Sequence, residues 1–184
     1  HAFYLLARSA LLHGWHEDGE RLAERCREQA ERLGDLEFGR RATAIAFLAR
    51  SSRRLGDTAS TQSAIEDCAQ HCAPVDIDLL WIRLAETLLE REDLPAAREA
   101  IQRAFALRQL PYEAEAWRVL GHLIRTAKRL EFRLFRDVPA GSPLRKRPRG
   151  LRCLQRAEEI AMRQNAVPFL ERARDAIAAA RSEE

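Results

Sequence analysis

Apolar residues recur along this chain at spacings of three and four, the period of a helix that buries one face. Trp81, Leu84, Ala85 and Leu88 share one such face. Glu92-Asp93-Leu94-Pro95 then breaks the pattern with charge and with a proline where a helix would start. A second helical face follows in Ala97, Ile101 and Ala104. Large residues on the first helix face small ones on the second, which lets two antiparallel helices approach closely. Period-two runs of Val, Ile and Thr are missing, so strands have little to be built from. The pattern predicts an all-α chain.

The layout repeats. Upstream, Ile45, Leu48 and Ala49 precede the break Leu55-Gly56-Asp57, which leads to Ile65 and Cys68. Downstream, Trp117, Leu120, Gly121 and Ile124 precede Lys128. Ile45, Trp81 and Trp117 are spaced 36 residues apart. A more degenerate unit at the start has Leu6 and Leu11, a turn at Gly14 to Gly19, then Ala23 and Ala30. Four units are expected, at about 2–36, 37–74, 77–111 and 112–165. A terminal helix at about 167–181 follows, apolar at Phe169, Leu170, Ala173 and Ile177, and suited to cap an array. The alternative is a helical bundle without repeats.

These units resemble the tetratricopeptide family. The third unit carries a Trp, Leu, small, large pattern followed by Ala, large, Ala; the fourth carries the Trp-x2-Leu-Gly core as Trp117 to Gly121. The period of 36 to 38 exceeds the family's usual length of about 34, and Leu88 and Ile124 stand where the family has an aromatic residue. The resemblance implies a single right-handed α-solenoid over residues 1–184. The Arg/Ala/Leu-rich style and Glu31-Arg32-Leu33-Gly34-Asp35 are similar to the helical repeat regions of bacterial transcription activators and signalling proteins. In this family the first helices line a concave groove that holds a peptide or a partner helix. The positions off the packed faces are then Arg50, Arg53, Ile82, Arg83, Glu86, Glu90, Arg118, His122 and Arg125. Arginine forks suit carboxylates, so an acidic peptide or partner helix is expected. The alternative is that these arginines pair with neighbouring glutamates. The family's carboxylate clamp for chaperone tails uses Asn and Lys, which these places lack.

Charge changes the picture at the fourth unit. Its second helix comes 17 residues late, so an insertion lies at about 129–150. The first part, Leu130 to Phe135, reads as an extension of the preceding helix; the rest, from Pro139 to Gly150, holds three prolines and two glycines and reads as an exposed loop. Lys128 to Arg156 carries +8 and the remainder of the chain −5. Arg145, Lys146, Arg147, Arg149 and Arg152 are therefore candidates for a phosphate or nucleic-acid contact. No aromatic residue is interleaved for base stacking, which favours a solvated insertion instead.

Other chemistry is sparse. Net charge is only +3 over 184 residues, too little for global attraction to nucleic acid. The four cysteines make no disulfide framework, which points to a reducing cytoplasm, and no apolar run is long enough for a membrane span. Cys68, His71 and Cys72 lie on one turn without a fourth ligand, so core packing accounts for them better than a metal. His13 and His16 read as turn residues, with Trp15 over a helix end. Neither a glycine-rich phosphate loop nor a nucleophile with an orienting base is present. The start at His1, without Met, reads as a fragment of a longer protein. The expected function is a protein-interaction module without catalytic residues, cofactor or metal. The alternatives are the regulatory segment of a larger signalling protein, or nucleic-acid contact through the basic loop. The oligomeric state stays open.

Overall fold

The computed structural model describes residues 2–54, 56–107, 111–132, 134 and 148–182. Among the described residues the secondary structure is nine α-helices and no strand: α1 (Ala2–His13), α2 (His16–Leu33), α3 (Leu36–Ser52), α4 (Thr58–His71), α5 (Ile77–Glu90), α6 (Leu94–Ala106), α7 (Glu113–Arg129), α8 (Gly150–Arg163) and α9 (Val167–Ser182). No helix among them is long and apolar enough to cross a membrane. The chain divides into two compact units, residues 1–87 and 88–184, with the division inside α5.

Each unit is built from helices that pack on their chain neighbours. In the first, α1 packs on α2, α2 on α3, α3 on α4, and α1 also reaches α3. In the second, α6 packs on α7, α7 on α8, α8 on α9, and α7 also reaches α9. Reversals this short need a helix stop followed at once by a helix start. The stop is the same in five places. At Gly14 and Gly34 the backbone turns left-handed, with φ of 75° and 69°, a conformation that costs a residue with a Cβ roughly 1–2 kcal/mol. The next N–H then bonds back across the end of the helix: Trp15 to the Ala10 carbonyl and Asp35 to the Ala30 carbonyl, both 2.9 Å. Glu92, Glu131 and Asn165 do the same with side chains in place, φ 53–59°, the following amides bonding to Leu88, Ala127 and Ala161. These bonds satisfy carbonyls that a helix end otherwise leaves open. The starts are supplied by aspartates: Asp35, Asp57 and Asp93 accept from the first-turn amides of α3, α4 and α6.

Alanine fills much of the core. Ala7, Ala23, Ala44, Ala49, Ala104, Ala116, Ala157 and Ala173 are fully buried, beside Leu11, Ile45, Leu48, Ile101, Leu120 and Leu123. Small side chains let the helix axes come close. The closest approach in the second unit is between α7 and α8. A Cβ on Gly121 would lie 2.7 Å from Leu154 Cδ2 and 3.0 Å from the Gly150 carbonyl; a Cβ on Gly150 would lie 2.6 Å from Arg125 Cγ. The two glycines thus make one backbone-to-backbone crossing.

Two expectations need correction here. Helix α7 does not continue through Leu130 to Phe135 over the residues described: it stops at Arg129, Glu131 turns left-handed and the Phe132 amide bonds back to Ala127 at 2.8 Å. Leu134 is buried, with its carbonyl 3.4 Å from the Arg98 guanidinium of α6. Helix α5 buries more than the one face expected: Ile77, Leu79, Leu80, Trp81, Ile82, Leu84, Ala85 and Leu88 are all buried.

Substituting Gly121→Ala is expected to destabilise the chain by about 1–3 kcal/mol in urea unfolding, because the obstructing atoms include backbone. Glu131→Gly should stabilise it by about 0.5–1 kcal/mol, since relief of the left-handed strain exceeds the added chain entropy.

Candidate functional site

The first unit presents an open cleft between α2 and α3. Glu24, Arg27 and Glu31 lie at spacings of three and four on α2, and Leu36, Gly39, Arg40, Thr43, Ala46, Phe47 and Arg50 do so on α3, so each set occupies one helix face. The Gly34-Asp35 reversal sets these faces side by side. The space between them is about 690 Å³, within the roughly 300–1,000 Å³ of ligand sites. Its lining is made of small residues at Ala30, Gly34, Gly39, Thr43 and Ala46, with the half-buried Phe47 beside them. Leu36 is part of its lining and is 71% exposed, so a large apolar side chain offers surface there.

Its charged rim is balanced. Arg50 reaches across from α3 to two glutamates of α2, with Nη2 2.6 Å from Glu24 and Nε on Glu20. Arg53 adds a contact to Glu20 at 3.2 Å. Arg27 pairs with Glu31 at 2.6 Å, and Arg40 with Asp67 of α4 at 3.1 Å. Hydrogen bonding to Glu20 raises the Arg50 pKa against a small opposing effect of burial, so the guanidinium is held in its charged form.

Of the residues expected to line a groove, Arg50 lines the cleft. Arg53, Arg83 and Glu86 come together around His16 at the start of α2, whose charge they influence. Arg83 is buried, donating to Glu86 and, through Nη2, to the Leu12 carbonyl at 3.2 Å. Ile82 is fully buried, so it offers no accessible face. In the second unit Arg118 is also buried: its guanidinium grips Glu115, itself fully buried, at 2.9 and 3.2 Å, with Arg172 of α9 3.5 Å from the same carboxylate. Glu90 is exposed, His122 is half-buried, and Arg125 lays its stem against Gly150. Of the basic loop, Arg145, Lys146 and Arg147 lie outside the described residues. Arg149 precedes α8 and Arg152 sits in its first turn, both exposed.

Sequence reasoning missed the acidic partners. Glu20 and Glu24 sit one turn apart on α2, a signal visible in the sequence, but the residues they face lie about 30 positions away on α3. It also missed a polar network that fixes the loop before α5. Arg41, buried on α3, donates to the carbonyls of Ala73 and Val75 at 2.6 Å each and to Glu37 at 2.7 Å. Tyr4 donates to Asp76 at 2.8 Å, and Arg8 grips the same carboxylate at 3.0 and 3.1 Å. Asp76 itself is left-handed, φ 63°, and buried. Burial and the nearby Asp76 charge raise the Tyr4 pKa, so the hydroxyl stays a donor.

Among the described residues no group of three or more His, Cys, Asp and Glu side chains is placed to hold a metal ion. His71 is paired with Asp67 at 3.0 Å, and Trp15 is 60% exposed and stacks on His13 with ring centroids 5.0 Å apart. Burial pushes the Cys153 thiol up to about 12, and raises that of Cys26, so both are weak nucleophiles. What the arrangement can do chemically is contact a chain laid along α2 and α3, with a lining of small residues and ion pairs on both sides.

No protein-family model matches the chain, and neither a curated protein nor a solved structure matches it. The tetratricopeptide resemblance therefore rests on the residue spacings.

Burial and the Arg83 charge lower the His16 pKa below its ordinary 6.5, against the pull of Glu86, with Arg53 lowering it further. A depressed folded-state pKa means that the unfolded chain binds the proton more readily. Stability is therefore full above pH 6.5 and declines as pH falls from there through the folded-state value. Denaturant unfolding between pH 7.5 and about 5 should show this decline, and His16→Gln should reduce it.

Proposed function

We propose that this chain is a protein-interaction module, made of tetratricopeptide-like helical hairpins, that binds a peptide or partner helix along α2 and α3. The observation that carries this reading is the cleft of about 690 Å³ with its lining of small residues and its charged rim. A bound helix there would cover Leu36 and lie close to the backbone at Gly39, Thr43 and Ala46, the geometry by which helices seat in grooves. The rim refines the partner. Arg27, Arg40 and Arg50 are matched by Glu24, Glu31 and Asp35, so the surface suits a helix bearing both signs rather than a uniformly acidic peptide. Rim charges of this kind set orientation and encounter rate more than affinity, so the uncharged lining supplies most of the binding energy.

A displayed library of helical peptides, panned against the whole chain, tests the reading. Binders are expected to lose at least about tenfold in affinity when Thr43→Trp fills the cleft, with helicity by circular dichroism unchanged. Selected peptides that bind the Thr43→Trp chain as well as the parent chain would place recognition elsewhere.

A further inference from the structure

We propose that Cys68 and Cys72 are a redox-active dithiol that closes to a reversible disulfide at the end of α4 when the chain meets a peroxide. Both sulfurs belong to the first unit and sit one helical turn apart. The Cys72 amide donates to the Cys68 carbonyl at 2.9 Å, the last helical bond of α4. Residues so related have Cα atoms about 6 Å apart, inside the roughly 4.4–6.8 Å that a disulfide spans. The Cys72 thiol is held in place on the same side: its Sγ donates to the Glu37 carbonyl at 3.6 Å.

Their exposures differ in a way that divides the chemistry. Cys68 is fully buried and Cys72 only partly so. Core packing accounts for Cys68 but not for a half-exposed thiol directly beside it. Peroxide therefore meets Cys72 first. Its thiolate attacks the O–O bond: an S–O bond forms, the O–O bond breaks, and the departing hydroxide takes up a proton as water, leaving Cys72 as a sulfenic acid. The Cys68 sulfur then attacks the Cys72 sulfur. The S–S bond forms as the S–O bond breaks, and the Cys68 proton leaves with the hydroxide as a second water. Two thiols are oxidised by two electrons and one peroxide is reduced to two waters.

The surroundings fit these roles. Burial, with the Cys72 charge adding to it, pushes the Cys68 thiol up to about 12, while the Arg41 guanidinium works the other way. Cys68 thus stays protonated and spared from direct oxidation until a sulfenic acid stands against it. Cys72 is the helix-end partner: its backbone is extended, at φ −117° and ψ 158°, and closure requires it to give up its bond to the Glu37 carbonyl. Helical neighbours hold their Cβ atoms about 5–6 Å apart, wider than the roughly 3.5–4.5 Å of a relaxed disulfide. The closed bond is therefore strained, and strained disulfides are readily reduced.

Hydrogen peroxide added to the whole folded chain, followed by an alkylating quench and peptide mapping, tests this. Trypsin leaves both cysteines in one peptide, Leu55 to Arg83. The expected product is that peptide short of two hydrogen atoms and inert to the alkylating agent, restored by dithiothreitol. It should form equally in the Cys26→Ser and Cys153→Ser chains and not in Cys72→Ser. A peptide carrying oxygens on Cys72 with Cys68 still alkylatable would overturn the proposal, as would a disulfide between two chains or no oxidation of this peptide.

Discussion

The packing of α1 on α2, α2 on α3 and α8 on α9 depends on stopping one helix and starting the next within two or three residues. Most of these helices, 12–18 residues long, present one apolar stripe, and that stripe is buried when the chain turns back and lays the next helix alongside. The left-handed stop and the aspartate start meet that demand together. At Gly34 and Asp35 the two functions occupy adjacent residues, and the α2–α3 cleft is the direct result: a longer connection would let these helices separate or slide. Where the reversal is longer, as between α4 and α5, separate machinery holds the loop. Arg41 clasps two loop carbonyls from α3 while Tyr4 and Arg8 hold Asp76 from α1. Such a buried guanidinium, satisfied on several sides, is costly to disrupt, since its removal would leave carbonyls unpaired in the interior.

Much of this was legible in the sequence, for reasons that can be named. The all-helical class follows from apolar spacing, a signal that repeats many times and is forgiving of single exceptions. The breaks at Gly14, Gly34 and Asp93 were legible because glycine and a capping aspartate act locally. Glu92, Glu131 and Asn165 adopt the same left-handed stop without glycine, and nothing in their identities announces it. That is why α7 reads too long in the sequence: Leu130 to Phe135 keeps a helical composition, and only the backbone at Glu131 ends the helix.

The candidate site was legible to a smaller degree. Its arginines stand out by type, but a salt bridge between helices is a tertiary event, and Arg50 finds Glu20 and Glu24 only once α2 and α3 pack. Arg83 and Arg118 read as surface residues by their charge, yet both are buried against carboxylates three residues away in the chain. Ile82 was assigned outward by helical phase, yet it is fully buried, as are most residues of α5. The small residues of the cleft lining were passed over because Gly39, Thr43 and Ala46 look unremarkable singly. Their meaning lies in their spacing along one face opposite Ala30. The cleft that results is lined by equal numbers of acidic and basic side chains, and under the proposed function this moves the weight of recognition from charge to shape.

The most direct test of this account is hydrogen exchange followed by mass spectrometry on the whole chain, with and without a saturating helical peptide selected against it. The account predicts slowed exchange in the segments that carry residues 24–50, the cleft-lining turns of α2 and α3, with α7 to α9 unaltered. Protection confined to α7, α8 or α9, with α2 and α3 unaffected, would contradict it.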